Sequence, residues 1–247
     1  MRPLSVLICT RDESVALPEC LASAAFADEI VVVDSGSTDD TVDIARRAGA
    51  RVLHHDFESH AAQKNWGITQ VAHEWVLILD ADERVSDALR EEIVGVLDEA
   101  EPRAGYWIWR SNRFLGRAIR GSGWQRDRVL RLFDRSRGRY EARLVHEEVR
   151  LDAPAGRLRN RLRHDSCRDL STWLRKTNHY ATLGAAELRS RGRKGAFRDV
   201  VLRPPARFVK QYVFQQGFRD GTEGFILCVV AAYGVFAKYA LLWERRS

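Results

Sequence analysis

Hydrophobic residues in the first hundred positions occur in short continuous runs that are separated by segments with helical spacing. Runs of roughly four to eight apolar and β-branched residues predict buried strands, and the segments between them predict helices. Strands and helices that alternate in this way are typical of βαβ units, in which helices cover a parallel sheet. The predicted strands are Leu4–Cys9, Glu29–Val33, Arg51–His55 and Trp75–Leu79.

The pattern changes after about residue 104. Three β-rich stretches, separated by Gly-containing and Arg-rich turns, predict an added sheet that covers the site. They are Tyr106–Arg110, Val129–Phe133 and Leu144–Leu151. Beyond Asp169, apolar residues at helical spacing predict a helical region. Pro204-Pro205 is expected to separate that region from a final stretch, Phe208–Trp243. We therefore expect an α/β fold with a mostly parallel, Rossmann-like sheet and flanking helices, followed by C-terminal helices.

Several boundaries follow from local signals. Ser14 is predicted to cap a helix over Val15–Ala25, and Ser86 a helix over Asp87–Ala100. The uncharged run from Gly224 to Ala237 has 14 residues, fewer than the ~20 that span a bilayer, and predicts a buried or interfacial helix. The N-terminal segment lacks the long apolar core and cleavage site of a signal peptide, so we expect a cytoplasmic protein.

Charge is distributed unevenly along the chain. Residues 1–100 hold 8 of the chain's 40 Lys and Arg residues and 20 of its 34 Asp and Glu residues. Residues 101–247 therefore hold 32 basic and 14 acidic residues. An acidic half suits a metal, and a basic half suits phosphates, anionic lipid or nucleic acid. An Arg-rich surface of purely compositional origin remains an alternative, although it does not explain the acidic first half.

Two classes of protein are disfavoured. The cysteines, Cys9, Cys20, Cys167 and Cys228, have neither disulfide-framework nor metal-ligand spacing, and are interpreted as buried thiols. No G-x-G-x-x-G follows the first predicted strand, which argues against a dinucleotide-binding fold.

Acidic residues stand where predicted strands end. Asp80 and Asp82 follow the apolar run Val76–Leu79, and carboxylates at that spacing suit Mg²⁺ or Mn²⁺ bound to a diphosphate. Asp34 follows a second apolar strand and could accept a hydrogen bond from a ribose hydroxyl or a base. The alternative there is a strand–turn–helix capped by Ser37 or Thr38. Because ligands of open α/β sheets bind at the carboxyl ends of strands, these residues predict a site.

Together these segments resemble the inverting family 2 glycosyltransferases with the GT-A fold, and within them the bacterial lipopolysaccharide inner-core β-glucosyltransferases. The resemblance extends over essentially the whole chain. Its motifs are Thr10-Arg11-Asp12-Glu13, Asp34-Ser35-Gly36-Ser37-Thr38-Asp39, Gln63-Lys64-Asn65, Trp75-Val76-Leu77-Ile78-Leu79-Asp80-Ala81-Asp82-Glu83, Arg131-Leu132-Phe133 and Val145-His146-Glu147.

The resemblance implies roles for individual residues. The metal ligand would be Asp82, with Mn²⁺ or Mg²⁺ as the cofactor. The family commonly begins with the motif Thr-x-Asn-Glu. In this chain Asp12 occupies the Asn position, which adds negative charge near the nucleotide. The implied nucleotide-binding residues are Thr10, Asp12, Glu13, Asp34, Lys64 and Asp80.

Inverting transfer also requires a general base on the acceptor side. Glu147 is the candidate, with His146 as a third metal ligand or a residue that orients the base; the alternative is an exposed strand of alternating charge. Trp124 is a candidate platform for an acceptor sugar or a core residue, and Arg131 is a candidate ligand of an acceptor phosphate or the partner of a local acid.

The expected domains are a glycosyltransferase domain over 1–165, with a nucleotide-sugar half (1–100) and an acceptor half (101–165), and a helical region over 166–247. The expected activity is transfer of a hexose, from a UDP-linked donor, to a lipopolysaccharide-core or other surface-glycan acceptor. The basic, aromatic C-terminal region predicts peripheral binding to the anionic cytoplasmic face of the inner membrane. The alternatives are transfer to a polyprenyl phosphate and a nucleic-acid-binding module; no nucleic acid is expected as a partner of the enzyme.

Overall fold

The computed structural model describes residues 2–141 and 148–244. The chain is divided into two compact units. The first comprises Met1–Arg110 and Arg128–His164, and the second comprises Ser111–Asp127 and Asp165–Ser247. The division near residue 165 lies where the sequence pattern changes to helices. Residues 111–127, however, group with the C-terminal helices and not with the β-rich half.

An apolar cluster explains the grouping of residues 111–127. Phe114 and Ile119 pack in one buried cluster with Cys167 and Leu227 from the C-terminal part of the chain. Burial of this cluster requires both segments of the second unit, and the charged residues between the apolar positions hide it from sequence patterns.

The sheet of the first unit begins with the parallel strands β1 (Leu4–Thr10), β2 (Glu29–Asp34), β3 (Arg51–His54) and β4 (Trp75–Asp80). Their order is β3-β2-β1-β4. The registers place Thr10 opposite Asp34 and Cys9 opposite Asp80. The carboxyl ends of β1, β2 and β4 therefore lie side by side, and the predicted parallel α/β core is confirmed.

Antiparallel strands continue this sheet. The remaining strands are β5 (Glu83–Arg84), β6 (Gly105–Phe114), β7 (Arg117–Ala118), β8 (Arg128–Asp134), β9 (Gly138–Tyr140), β10 (Val149–Leu151) and β11 (Gly156–Cys167). After β4 the order among the described residues is β8-β6-β11-β5, so the β-rich half extends the first sheet and does not form the added sheet that the sequence suggested. A separate antiparallel pair is formed by β9 and β10.

Both faces of the parallel strands are buried. Successive side chains of a strand point to opposite faces, and Ile8 packs with Leu17 and Leu89 on one face while Leu7 packs with Ala61 on the other. A strand covered on both faces needs apolar residues at consecutive positions, which explains the continuous runs in the sequence. The covering helices are α1 (Leu17–Ala24), α2 (Thr41–Arg47), α3 (His60–Gln70) and α4 (Asp87–Asp98).

Helix α3 packs unusually close to β1. A Cβ atom at Gly67 would lie 2.8 Å from a methyl carbon of Leu7, so glycine is required for this approach. The close contact brings the polar residues at the start of α3 toward the carboxyl ends of the strands.

The helix caps follow the prediction in one place and depart from it in another. Ser86 accepts a hydrogen bond from the backbone N–H of Leu89 and caps α4, as expected. Ser14 does not cap α1, which begins at Leu17 and has Ala16 at its N-cap position. The prediction was wrong there because a turn precedes the helix: the N–H groups of Ala16 and Leu17 donate to the carbonyl of Glu13, which leaves Ser14 inside the turn.

The second unit contains helices α5 (Leu170–Ser190), α6 (Phe197–Val209) and α7 (Gly221–Glu244). The expected break at Pro204-Pro205 is wrong, since both prolines lie inside α6. Proline has no N–H, so the carbonyls of Val200 and Val201 lose their usual helical donors at this point. A π-helical segment, Lys210–Phe214, follows α6.

Helix α7 is longer than the uncharged run in the sequence. Among the described residues, 217–244 form the one helical stretch with the length and apolar composition to cross a membrane, and 28% of its most apolar window is buried in the protein. The run of 14 residues therefore underestimates the helix, because Glu223 and Lys238 lie within it.

Candidate active site

Asp34 organises the turn at the end of β2. Its side chain is buried, and Oδ2 accepts hydrogen bonds from the backbone N–H groups of Gly36 and Ser37, both at 2.9 Å. Oδ1 accepts from the hydroxyl groups of Ser37 and, at 3.4 Å, of Thr10 at the end of β1. Gly36 has a φ of 79°, a left-handed conformation that favours glycine. The carboxylate thus fixes this turn against the neighbouring strand end.

Asp12 and Glu13 connect the loop after β1 to the loop after β2. Oδ1 of Asp12 accepts from the N–H of Thr38 at 2.7 Å, and the N–H of Asp12 donates to Ser37 at 2.9 Å. The N–H of Glu13 donates to the hydroxyl of Thr41 at 2.8 Å. Asp12 has a φ of 54°, which an Asp tolerates better than most residues. The two loops therefore form one preorganised surface.

The motif Gln63-Lys64-Asn65 reaches three different elements from the start of α3. The side-chain amide of Gln63 donates to the hydroxyl group of Ser35, in the turn after β2. The ammonium group of Lys64 lies 3.1 Å from Oδ1 of Asp80. Asn65 exchanges two hydrogen bonds with the backbone of Tyr140, each 2.9 Å long. One turn of helix therefore positions β2, β4 and β9 relative to each other.

Asp80 lies between two buried cations. Lys64 contacts Oδ1, and Arg131 on β8 donates to Oδ2. Burial raises the pKa of Asp80, but the charges of Arg131 and Lys64 outweigh it and hold the pKa well below its usual range. The carboxylate is therefore ionised, and its charge is already balanced by protein groups.

Glu83 anchors the turn that follows Asp80. Its side chain is fully buried, and Oε2 accepts from the N–H of Asp80 at 3.0 Å. Oε1 lies 3.0 Å from Arg131 and 3.3 Å from Arg110. A buried carboxylate requires such partners because desolvation of an unpaired charge is costly. These charge-assisted hydrogen bonds of Glu83 therefore fix the turn after β4.

Asp82 lies in this turn, and its side chain is 26% exposed. Its Oδ2 is 3.4 Å from Nε2 of His164. His164 lies on β11, opposite Glu83 in the antiparallel register of β11 with β5. Burial lowers the pKa of His164, but the hydrogen bond and charge of Asp82 and the charge of Glu83 outweigh it and raise the pKa above the ordinary histidine value. Asp82 is the carboxylate of the pair that is not enclosed by Lys64 and Arg131.

The donor set at this turn fits a small divalent cation. Mg²⁺ is commonly held by one or two carboxylates, with the remaining positions filled by phosphate oxygens and water. Asp82 meets that need, and His164 adds an imidazole of the kind that Mn²⁺ accepts. Residues 2–141 and 148–244 contain no group of three or more His, Cys, Asp or Glu side chains arranged to hold a metal by themselves. A bound diphosphate would therefore have to complete the coordination.

The acceptor-side candidates are placed as follows. Glu147 and His146 lie outside the described residues. Trp124 belongs to the second unit, where it packs edge-on against Phe114 and Trp173, with ring centroids 6.2 and 5.8 Å apart. Arg131 is 4% exposed and engaged by Asp80 and Glu83, which fits the local-acid alternative and leaves its guanidinium group inaccessible to an acceptor phosphate.

Sequence inspection missed His164, Tyr140 and the buried role of Glu83. His164 reaches Asp82 only because β11 pairs with β5, and no local pattern in the sequence reveals that pairing. Tyr140 is recognisable only through Asn65, which is 75 residues away. Glu83 stands inside a motif, but a sequence does not show which of three neighbouring acids is buried.

Comparisons with known proteins identify the family of this chain. The family model described as glycosyl transferase family 2 matches residues 5–161. The lipopolysaccharide core biosynthesis glycosyltransferase LpsC of Rhizobium meliloti is 30% identical over 99% of this chain and 93% of its own length. An uncharacterized glycosyltransferase of Rickettsia typhi is 24% identical over 99% of this chain and 88% of its own.

Similar solved structures include S. aureus TarS, with a TM-score of 0.38 and 25% identity over 44% of this chain and 22% of that one. The glucosyl-3-phosphoglycerate synthase from Mycobacterium tuberculosis, in complex with Mn²⁺, UDP and glucosyl-3-phosphoglycerate, has a TM-score of 0.38 and 20% identity over 45% of this chain and 44% of that one. The chain thus spans less than half the length of either structure.

Proposed function

Because this chain belongs to glycosyl transferase family 2, we propose that it is an inverting, metal-dependent hexosyltransferase that uses a UDP-linked sugar. The GT-A α/β fold expected from the resemblance is confirmed. The proposed acceptor is a lipopolysaccharide core or another surface glycan, which is supported by the similarity to a lipopolysaccharide core enzyme along the whole chain.

The contrast between Asp80 and Asp82 carries the proposal. Asp80 is neutralised by Lys64 and Arg131, so its tightly held carboxylate suits a contact to ribose and a structural role in the turn. The side chains of Asp80 and Asp82 are both partly exposed, at 36% and 26%, and Asp82 lies next to the imidazole of His164, which suits metal binding. A divalent metal bound there would offset the charge that develops on the leaving nucleotide diphosphate.

The nucleotide is proposed to lie on the loops after β1 and β2. Asp34 and Thr10 stand at neighbouring strand ends, where ligands of open α/β sheets bind. Asp12 and Glu13 hold the first loop against the second before any ligand arrives. Such preorganisation reduces the entropy lost when a nucleotide binds. Lys64 would contribute positive potential beneath the diphosphate from its place beside Asp80.

Transfer with inversion needs one proton to leave the acceptor hydroxyl. We propose Glu147 as the base: its carboxylate would take that proton while the hydroxyl oxygen attacks the anomeric carbon from the side opposite the diphosphate. The bond from the anomeric carbon to the phosphate oxygen breaks, and its electron pair leaves with the nucleotide diphosphate. His146 is proposed as a metal ligand or as the residue that orients this base.

Peripheral attachment to the anionic cytoplasmic face of the inner membrane is proposed for the second unit. Large apolar side chains are exposed on α6 and α7, including Leu202 and Phe236, and arginines accompany them on α6. An interfacial position suits this pair better than a span, because α7 packs against α6 and a span would carry Arg198, Arg203 and Arg207 toward hydrocarbon.

Thermal unfolding of the purified protein with nucleoside diphosphates and diphospho-sugars, with and without Mn²⁺, tests the donor site. A ligand at a hundredfold excess over its Kd should add about 2.7 kcal/mol to stability. We expect UDP compounds to stabilise the protein only with metal, and Asp82→Ala to lose the effect. Asp43→Asn on α2, an exposed acid whose carboxylate pairs with Arg46, is the control. No stabilisation by any nucleotide would refute the donor site.

A further inference from the structure

The antiparallel strands β6, β8 and β11 of the first unit present a basic face to solvent. This basic face comprises Trp107, Trp109, Arg128, Arg157, Arg159 and Arg161. Successive side chains of a strand point to opposite sides, and the three arginines of β11 stand at alternate positions, all of them exposed. The intervening Leu158 and Leu162 lie in the buried core. Strand β11 therefore has one core side and one side of exposed arginines.

The two tryptophans of β6 hold arginines of the neighbouring strands in place, since β6 lies between β8 and β11. The guanidinium carbon of Arg128 is 4.9 and 5.9 Å from the ring centres of Trp107 and Trp109. That of Arg161 is 5.9 Å from the centre of Trp109, and its Nη1 donates to the carbonyl of Arg110 at 3.1 Å. A guanidinium group stacked on an aromatic ring retains N–H donors at its edge. These arginines are therefore oriented before a ligand binds.

The positive charge of the basic face is not balanced by nearby acids. Within residues 2–141 and 148–244, no ion pair is formed by Arg128, Arg157, Arg159 or Arg161. The next arginine along β11, Arg163, differs because it lies 3.7 Å from Glu19. The basic face therefore retains an excess of positive charge, which attracts anions.

The basic face reaches the edge of the sheet at which the proposed metal site lies. Strand β8 runs antiparallel to β4, with Leu132 opposite Leu77, so β8 begins at the edge where β4 ends. Arg128 is the first residue of β8, and Trp109 lies opposite it on β6. The turn with Asp82 follows that same end of β4. One ligand can therefore contact Arg128 and extend toward this turn.

We propose that the basic face binds the acceptor, an acidic oligosaccharide of the lipopolysaccharide-core type, through carboxylate or phosphate groups held by Arg128 and Arg161. The inference rests on the proposed transferase function and assigns a charge and a binding surface to its acceptor. Arg131 is buried, whereas Arg128, three residues earlier on the same strand, is exposed. Arginine binds either anion through two parallel hydrogen bonds.

Single-stranded nucleic acid is a poorer occupant of the basic face. Proteins that bind it stack the bases on aromatic side chains. Guanidinium groups already stack on the rings of Trp107 and Trp109. The tryptophans are therefore engaged in orienting arginines, which suits the recognition of anionic groups on a sugar chain.

An NMR titration without donor or metal tests the basic face. The probes are a galacturonate hexamer, which has one carboxylate per sugar, and its fully methyl-esterified form, which is neutral. We expect the acidic hexamer to shift the indole N–H signals of Trp107 and Trp109, and the ester to leave them unchanged. Arg128→Gln and Arg161→Gln should each raise the Kd of the hexamer at least about tenfold, since charge-assisted hydrogen bonds are lost. Equal binding of hexamer and ester would overturn the proposal.

Arg90→Gln is the matched control, because Arg90 is an exposed arginine on α4, which packs on the opposite side of the sheet. Its Kd should stay within about twofold of wild type, as expected for a charge outside the site. Trp109→Leu should weaken binding, and Trp109→Phe should restore it to within about threefold, because a phenyl ring still stacks on a guanidinium group. Equal losses in Arg90→Gln and Arg161→Gln would show attraction by net charge alone and overturn the basic face.

Other anions identify the occupant. Saccharide freed from lipopolysaccharide by deacylation should displace the hexamer from the wild-type protein, and a failure to do so would overturn the assignment of the acceptor. The competing occupants are a twelve-residue oligothymidylate and vesicles that contain phosphatidylglycerol. Tighter binding of either than of the saccharide, with a loss in Arg161→Gln, would also overturn it.

The outcomes separate the basic face from the donor site. Circular dichroism and stabilisation by UDP with Mn²⁺ should be unchanged in Arg128→Gln and Arg161→Gln. A wild-type protein without nucleotide-induced stabilisation would refute the donor site alone and leave the hexamer binding standing. A wild-type protein that is stabilised by UDP but binds neither hexamer nor saccharide would refute the basic face and leave the donor site standing.

Discussion

The buried ammonium group of Lys64 lies 3.1 Å from a carboxylate oxygen of Asp80, whose side chain is 36% exposed. With Arg131 on the other oxygen, Asp80 has no charge left for a metal to balance. The two acids of the Asp80-Ala81-Asp82 sequence therefore differ in environment, although they look equivalent in the sequence. This difference separates a structural acid from a candidate ligand.

Removal of the Arg131 guanidinium should be costly. Arg131→Met leaves Glu83 fully buried with only Arg110 as a charged partner, and we expect the free energy of unfolding to fall by about 3–5 kcal/mol. Urea unfolding measures the change. Arg137→Met is the control: it removes an exposed ion pair with Asp152 and should cost less than about 1 kcal/mol. Equal effects of the two variants would contradict the buried network.

His164 should support metal-dependent nucleotide binding. We expect His164→Gln to weaken the binding of UDP with Mn²⁺ by about 10- to 100-fold, the usual effect of losing a residue that holds or orients a metal ligand. Isothermal titration calorimetry measures it. His179→Gln, on α5 of the second unit, should bind like wild type. Unchanged affinity in His164→Gln would contradict a role for His164 in metal binding.

Glu147→Gln should separate binding from chemistry. If Glu147 is the base, transfer at saturating donor should fall by about 10²- to 10⁴-fold while stabilisation by UDP and Mn²⁺ persists. Glu148→Gln, which changes the neighbouring acid just before β10, serves as the control. Retained activity in Glu147→Gln would favour an acceptor that is already anionic, such as a polyprenyl phosphate, which needs no base.

The N-terminus of α5 should become less stable in acid. The carboxylate of Asp169 accepts hydrogen bonds from the backbone N–H of Thr172 and the hydroxyl of Ser171, each at 2.8 Å, and these lower its pKa to about 2. The unfolded value is about 3.9. The cap therefore contributes its stability above about pH 4 and loses it as pH falls through 2.

A carbon-detected NMR titration of the Asp169 carboxyl group measures this pKa directly. In Asp169→Asn the side chain still accepts a hydrogen bond but does not titrate, so α5 should lose this pH dependence. A pKa near 4 in the wild-type protein would show that the cap is not formed in solution.

The parallel core was predictable because each strand is covered on both faces. That environment demands consecutive apolar residues, and the predicted runs Leu4–Cys9 and Trp75–Leu79 each fall one residue short of β1 and β4. The last residue of each strand, Thr10 or Asp80, is polar, so the apolar pattern predicts it as part of the following turn. The site was found for the same reason, since its acids directly follow apolar runs.

Other features depend on contacts that a sequence does not display. Pro204 and Pro205 are local signals for a helix end, yet tertiary packing of α6 on α7 outweighs them. Arg131 looks like any exposed strand residue, and only the positions of Asp80 and Glu83 show why it is buried. Tertiary contacts, rather than local propensity, decide such cases.

The strand order also affects the nascent chain. Strand β4 occupies the middle of the sheet, but its partner β8 begins at Arg128, 48 residues after β4 ends at Asp80. At roughly 5–20 residues per second, a ribosome needs about 2–10 s to make that interval. During this time the apolar strand Trp75–Asp80 presents an unpaired edge of backbone N–H and C=O groups, which favours association with other nascent chains. Premature termination between β4 and β8 would therefore yield an aggregation-prone fragment.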